Sequence, residues 1–224
     1  MAEEVPIQEL PLAGPVAESR SELSGLAWHG DALILLPQYP ERMGGNLFAL
    51  DKGEILAALA EDQATPLTPR PIPLDAPGLN RLPGYEGLEA IAFAGDRVYV
   101  TVEARRATGM EALLLAGTIA ADGSAVHLDV GRHARIPAQA PLANYSDEAL
   151  VVWGDTLVTL YEANGVNVNP APVAHAFRLD LTPLAPLPFP PVEYRITDAT
   201  AVDAAGVFWA INYLFPGDRA KLQP

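Results

Sequence analysis

Four stretches of this chain can be laid over one another without a gap, and that self-similarity restricts the fold more than any other feature. They are residues 24–38, 89–103, 148–162 and 198–212. They open on Ser24, Glu89, Glu148 and Asp198 and close on Gln38, Glu103, Glu162 and Asn212, so the polar ends are 14 positions apart each time. Between them run a short apolar stretch, a tight turn, and a second stretch rich in Val, Leu, Ile and aromatics. The turns read Gly30-Asp31, Gly95-Asp96, Gly154-Asp155 and Ala205-Gly206. Gly-Asp between two apolar runs is a hairpin signal. Each segment is therefore expected to be a hairpin of two strands, A and B.

Further apolar stretches supply a third and fourth strand: 46–51 and 70–74 in the first repeat, 112–118 and 126–136 in the second, 173–181 and 192–196 in the third. The repeats begin 65, 59 and 50 residues apart. Four short antiparallel strands per repeat at such periods describe propeller blades. The expected fold is all-β, a β-propeller of four-stranded antiparallel blades, with 1–224 a single domain. Residues 52–63 suit a short surface helix. Residues 182–191 carry too many prolines for a central strand and belong on an outer edge or in a loop. The fourth repeat has only strands A and B. That predicts the first three to four blades of a six-bladed ring, C-terminally incomplete. The alternative is a four-bladed ring closed by residues 5–12.

Bulk properties remove several function classes. Acids outnumber Lys and Arg 28 to 14, a formal charge of −14. A nucleic-acid partner needs clustered bases, and so does an anionic membrane surface; neither is expected. With no cysteine, disulfides, thiol catalysis and zinc–thiolate sites drop out. The N-terminus shows no apolar signal-peptide core and no run approaches a membrane span. The expected location is cytoplasmic, or secreted if a leader was removed.

Strand A of a blade is innermost and strand B returns to the same rim. The hairpin symmetry predicts four cross-strand pairs there: Ser24 with Gln38, Glu89 with Glu103, Glu148 with Glu162, Asp198 with Asn212. Like charges directly opposite each other are destabilising. Three things could offset them: a bound cation, the arginines Arg105 and Arg106 that follow Glu103, or a shared proton. Oxygen ligands without His or Cys favour a hard ion such as Ca2+. Glu89, Glu148, Asp198 and Asn212 are the candidate metal ligands. Glu103 and Glu162 are the candidate catalytic bases. Arg105, Tyr161, Tyr213 and Gln38 are candidate contacts for a small-molecule ligand at the channel mouth. The loop bearing Asn164, Asn167 and Asn169 could add amides. The bland alternative is that the rim acids simply bond to backbone or neighbouring blades. Trp28, Trp153 and Trp209 are expected in the core, and the four histidines show no ligand spacing. No nucleophile-elbow, P-loop or Rossmann motif is present.

Glu86-Gly87-Leu88-Glu89-Ala90, with Gly95, Val98-Tyr99-Val100 and Glu103, resembles a signature of the phytase-like propellers labelled "esterase-like activity of phytase". Ser24-Gly25-Leu26-Ala27 resembles the first-blade motif of that group, and 197–201 with 208–213 a later-blade motif. More distantly, acids opening strand A resemble the calcium-binding gluconolactonase and regucalcin propellers. The resemblance covers about residues 20–218. It implies a six-bladed propeller, a calcium ion at the channel mouth, and metal-assisted phosphoester or ester hydrolysis. Ser24 and Gln38 stand where that pattern would place acids. A non-catalytic propeller that binds a ligand or protein is the rival expectation.

Overall fold

The computed structural model describes residues 7–61, 65–107 and 109–224. Three antiparallel meanders of four strands follow one another. The first holds β1 (Leu23–His29), β2 (Ala32–Pro37), β3 (Asn46–Asp51) and β4 (Arg70–Asp75). The second holds β5 (Tyr85–Ala94), β6 (Arg97–Arg106), β7 (Gly109–Ile119) and β8 (Val126–Ile136). The third holds β9 (Asp147–Trp153), β10 (Thr156–Tyr161), β11 (Val173–Arg178) and β12 (Leu187–Pro188). A hairpin of β13 (Arg195–Ala199) and β14 (Ala210–Tyr213) comes last. Consecutive strands pair within each unit. The first strands of the units touch in sequence, β1 on β5, β5 on β9, β9 on β13, and β13 returns to β1. Four-stranded units arranged around shared inner strands are the blades of a β-propeller.

The blades adhere through apolar faces. Ile34, Leu36 and Leu47 of the first pack on Leu88, Val98 and Val100 of the second. Ala92, Tyr99 and Leu114 of the second pack on Leu150, Leu157 and Phe177 of the third. Val151 and Leu160 of the third pack on Ile196 and Ala199 of the last hairpin. The middle strand β6 is buried from Val98 through Ala104, whereas β8, the outermost strand of that blade, alternates buried and exposed positions at first. One link is unforeseen by the repeat: the outer strands β4 and β8 pair in parallel, Leu74 with Val126 and Asp75 with His127. That joins the first two blades into one eight-stranded sheet.

Several expectations need correction. The fourth strand of the third blade is not 192–196. It is Leu187–Pro188, inside the proline-rich stretch, which tolerates only two residues of edge pairing. Strand β13 begins at Arg195 and takes up the last two residues of the span expected for that strand. The helix α1 (Lys52–Leu59) starts behind Asp51, whose carboxylate caps the Gly53 N–H; Gln63, the expected helix end, lies outside the described residues. Val5 and Pro6 also lie outside them. Residues 7–12 do not close the last hairpin, because Leu12 bridges Leu67 just ahead of β4. Trp28, Trp153 and Trp209 are exposed rather than core.

Candidate functional site: an acidic rim beside an apolar channel

Each inner strand breaks its pairing near the rim. Register shifts fall at Ser24 in β1, Glu86 and Glu89 in β5, Glu148 in β9 and Thr197 in β13. A bulge inserts one unpaired residue and re-aims the strand. Glu89 therefore does not face Glu103, which pairs with Gly87. Glu162 lies opposite Ser146, whose carbonyl accepts the Glu162 N–H (2.9 Å), not opposite Glu148. Gln38 likewise donates its N–H to Glu22, not Ser24. The first three hairpins keep the aligned spacing, with bulge residues Ser24, Glu89 and Glu148 matched to Gln38, Glu103 and Glu162.

The fourth hairpin is out of step. Asp198 pairs with Ile211, enclosing 12 residues, whereas Gly25 with Leu36 encloses ten, as does Ala90 with Thr101. The bulge residue is Thr197, and Asn212 pairs with Ile196. Tyr213 takes the place that Gln38, Glu103 and Glu162 hold elsewhere. The blade-to-blade bonds agree: the Gln38 carbonyl accepts from the residue before Glu89, and the Glu162 carbonyl accepts from Ile196, the residue before Thr197. The expected Asp198–Asn212 pair is thus replaced. Asn212 is exposed, and its amide donates to the Glu193 and Arg195 carbonyls (2.8 and 3.1 Å).

The rim acids are deeply set. Glu162 is fully buried, Glu103 and Glu89 nearly so. Glu148 keeps a partly open edge on a lateral cleft but is otherwise surrounded by protein. Gln38 Nε2 donates to Glu89 Oε1 (2.8 Å). Arg195 Nη1 stands 2.7 Å from Glu162 Oε1, and its Nε stands 2.8 Å from Asp218 Oδ2. Its guanidinium lies over the Tyr145 ring at 4.7 Å. Arg195 thus supplies the offset expected of Arg105 and Arg106. Those two turn away: Arg105 pairs with Glu86 (2.6 Å), Arg106 with Glu111. Arg195 was legible in principle, being the one basic residue between Arg178 and Arg219.

One arginine does not balance four glutamates at a largely buried rim, and burial there favours their protonated forms. Burial raises the Glu89 carboxyl well above the ordinary range, and Glu148 and Glu103 add to it. Burial raises Glu148 likewise, with Glu162 adding. Burial pushes Glu162 up to about 8, although Arg195 pulls against it. Burial also raises Glu103. The Ser146 hydroxyl, hydrogen-bonded to Glu103, pulls against that rise.

Asp198 has another task. Its Oδ2 accepts the Leu26 N–H of β1 (3.1 Å) and its Oδ1 the Ala199 N–H (2.8 Å). Burial pushes it up to about 6, against those two N–H groups. Among the described residues, no three His, Cys, Asp or Glu side chains converge in a way that could hold a metal ion. The reason is visible: Glu89 is bonded to Gln38, Glu162 is tied to Arg195, and Asp198 caps backbone. As arranged, the donors do not fit a calcium cage.

Two cavities flank the Asp198–Leu26 contact. A cleft of about 600 Å3 has Glu89, Glu148, Gln38, Arg195 and Tyr213 at one end and leucines of the first blade along its wall. The central channel, about 490 Å3, is lined by residues of all four inner strands together with Leu33 of β2 and Trp209, Ala210 and Ile211 of the last hairpin. Of the expected ligand contacts, Gln38 and Tyr213 line the cleft, Arg105 does not, and Tyr161 is fully buried. The asparagine loop is occupied internally: Asn164 donates to the Tyr161 carbonyl, Asn169 to Gln139 and Ala163.

No family model and no curated protein matches this chain. Among solved structures it is similar to the Nup133 β-propeller domain of Vanderwaltozyma polyspora, at 11% identity and a TM-score of 0.36. The likeness covers 87% of this chain and 54% of that one, so the chain spans about half the length of that domain. The propeller assignment here rests on the strand order and the meeting of the inner strands. No helix among the described residues is long and apolar enough to cross a membrane.

Proposed function

We propose that this propeller is a ligand-binding module whose cleft takes a cationic group at Glu89 and Glu148. The observation that carries this is the charge imbalance at the cleft. Four glutamates gather at the rim, and Arg195 is the one base recorded in ion-pair contact with any of them among the described residues. A cation entering the cleft replaces shared protons as the counter-charge, so it binds with proton release and more tightly as pH rises.

The experiment is titration with methylammonium and, separately, Ca2+, followed by chemical-shift change. Saturable binding that weakens at least tenfold in Glu148→Gln is the expected result. Absence of binding by either cation between pH 6 and pH 9 removes the reading. Stronger binding of Ca2+ than of methylammonium would favour the metal site suggested by the phytase-like resemblance, at the cost of rearranging the Gln38, Arg195 and Leu26 contacts described above.

Metal-assisted hydrolysis is the finer alternative. It requires Glu103 or Glu162 to reach a bound water as base; burial raises both carboxyls, that of Glu162 to about 8. Neither lines the cleft. Generic phosphate and ester substrates with added Ca2+ are expected to give no turnover.

A further inference from the structure

We propose that the ligand of this rim is an amphiphilic organic cation, with its charged head at Glu89 and Glu148 and its apolar tail in the central channel. This rests on the cation-binding reading and adds what the rest of the ligand must be. The rim acids and the channel wall belong to the same strands: on β5, Glu89 is followed by Ile91 and Phe93, and on β9, Glu148 is followed by Leu150 and Val152. The first member of each series lines the cleft, the next two line the channel. At about 3.3 Å per residue, apolar wall begins about 7 Å from the acid layer and continues to about 13 Å.

The channel offers little to a polar guest. Asp198 is the one ionisable residue in its lining, and both its oxygens already accept backbone N–H groups. The remaining wall is aliphatic or aromatic apart from Thr200. A bare metal ion or a small hydrophilic amine would satisfy the acids and leave this apolar space unfilled. A tail that fills it gains the transfer free energy of each methylene. The two cavities share Leu26, Trp28, Leu33, Asp198 and Ile211, so head and tail positions are adjacent.

The test is a homologous series on the intact chain, methylammonium through octylammonium, with octanol as the uncharged control. Affinity is expected to rise about threefold per methylene over part of the series, and octanol is expected to bind far more weakly than octylammonium. Ala201→Trp places bulk at an exposed channel-lining position. It should flatten the chain-length dependence and leave methylammonium binding unchanged. Trp28→Ser, at an exposed wall position, should reduce the slope without removing it, and serves if the first variant misfolds. A flat series with methylammonium still bound overturns this inference and leaves the cation reading intact. Failure of every cation overturns both. Octanol binding as tightly as octylammonium, or a slope unchanged in both variants, also overturns the inference.

Discussion

The second and third hairpins and the fourth look alike when aligned and differ when folded. In β5–β6 and β9–β10 the aligned acids fall on bulges and strand ends, sink into the rim and meet one another. In β13–β14 two extra residues in the turn move the pairing, so the aligned Asp198 and Asn212 land beside the positions that matter. Asp198 becomes a bond to the first blade and Asn212 an exposed brace. Polarity at a fixed spacing therefore identifies an equivalent residue only where the loop between has constant length. The residue in the fourth unit that completes the rim chemically is Arg195, which has no counterpart in the other three.

The largest effect should come from Arg195. It faces Glu162 and Asp218 and stacks on Tyr145. Arg195→Ala leaves the buried Glu162 without its cation and Asp218 with Lys221 alone, and breaking a buried pair costs about 3–5 kcal/mol. Chemical denaturation is expected to show that loss. Arg105→Ala, which breaks only the exposed contact to Glu86, should leave the unfolding midpoint unchanged. Equal effects would remove the distinction between a buried rim and ordinary surface pairing.

Next are two glycines, one from each region. Gly87 has φ +131°, and a Cβ there would run into the Gln38 side chain that reaches across to Glu89. Gly206 has φ +81° with open space around it. Gly87→Ala combines backbone strain with a clash at the blade junction, about 1–3 kcal/mol and a loss of cleft affinity. Gly206→Ala carries the left-handed cost alone, about 1 kcal/mol, and leaves the cleft untouched. Denaturation of both variants beside the cation titration checks the difference.

Protonation offers a finer comparison. The Glu162 carboxyl goes from its ordinary value of 4.5 to about 8 in the fold. Between those values the native state holds more protons than the unfolded chain, so stability is full below about pH 4.5 and falls as pH rises toward 8. Glu162→Gln should flatten that decline in a melting series from pH 5 to pH 9. Asp198, pushed up to about 6, contributes in the same direction over a narrower window, ending near pH 6. A variant whose melting temperature keeps the wild-type slope would show that Glu162 is not among the groups holding a proton.

Much of this architecture was legible from the chain. The hairpin turns, the meander order and the strands β3 and β8 follow from alternating apolar runs and Gly-Asp punctuation. The bulges were not legible, because a gapless alignment pairs residues symmetrically about the turn and cannot register one unpaired residue. The proline-rich stretch reads correctly as edge or loop, but which two of its residues pair in β12 is hidden by the prolines. The parallel contact of β4 with β8 and the reach of Arg195 to Glu162 are long-range matters, set by how blades stack rather than by any local pattern. The acid cluster could be anticipated, but its counter-ion lay 92 residues beyond Glu103.

The smallest predicted effect bears most directly on the shifted register. Asn212 is exposed and its amide bonds only to the Glu193 and Arg195 carbonyls. Asn212→Ala should cost no more than about 1 kcal/mol and leave cation binding as it was. Tyr213 occupies the strand-end position equivalent to Glu103 and Glu162 and lines the cleft. Tyr213→Ala should therefore weaken binding of the longer ammonium ions while costing little stability, since the ring is 42% exposed. If Asn212→Ala were the variant that lost the ligand and Tyr213→Ala the silent one, the fourth hairpin would be in step with the others after all, and the bulge would belong at Asp198.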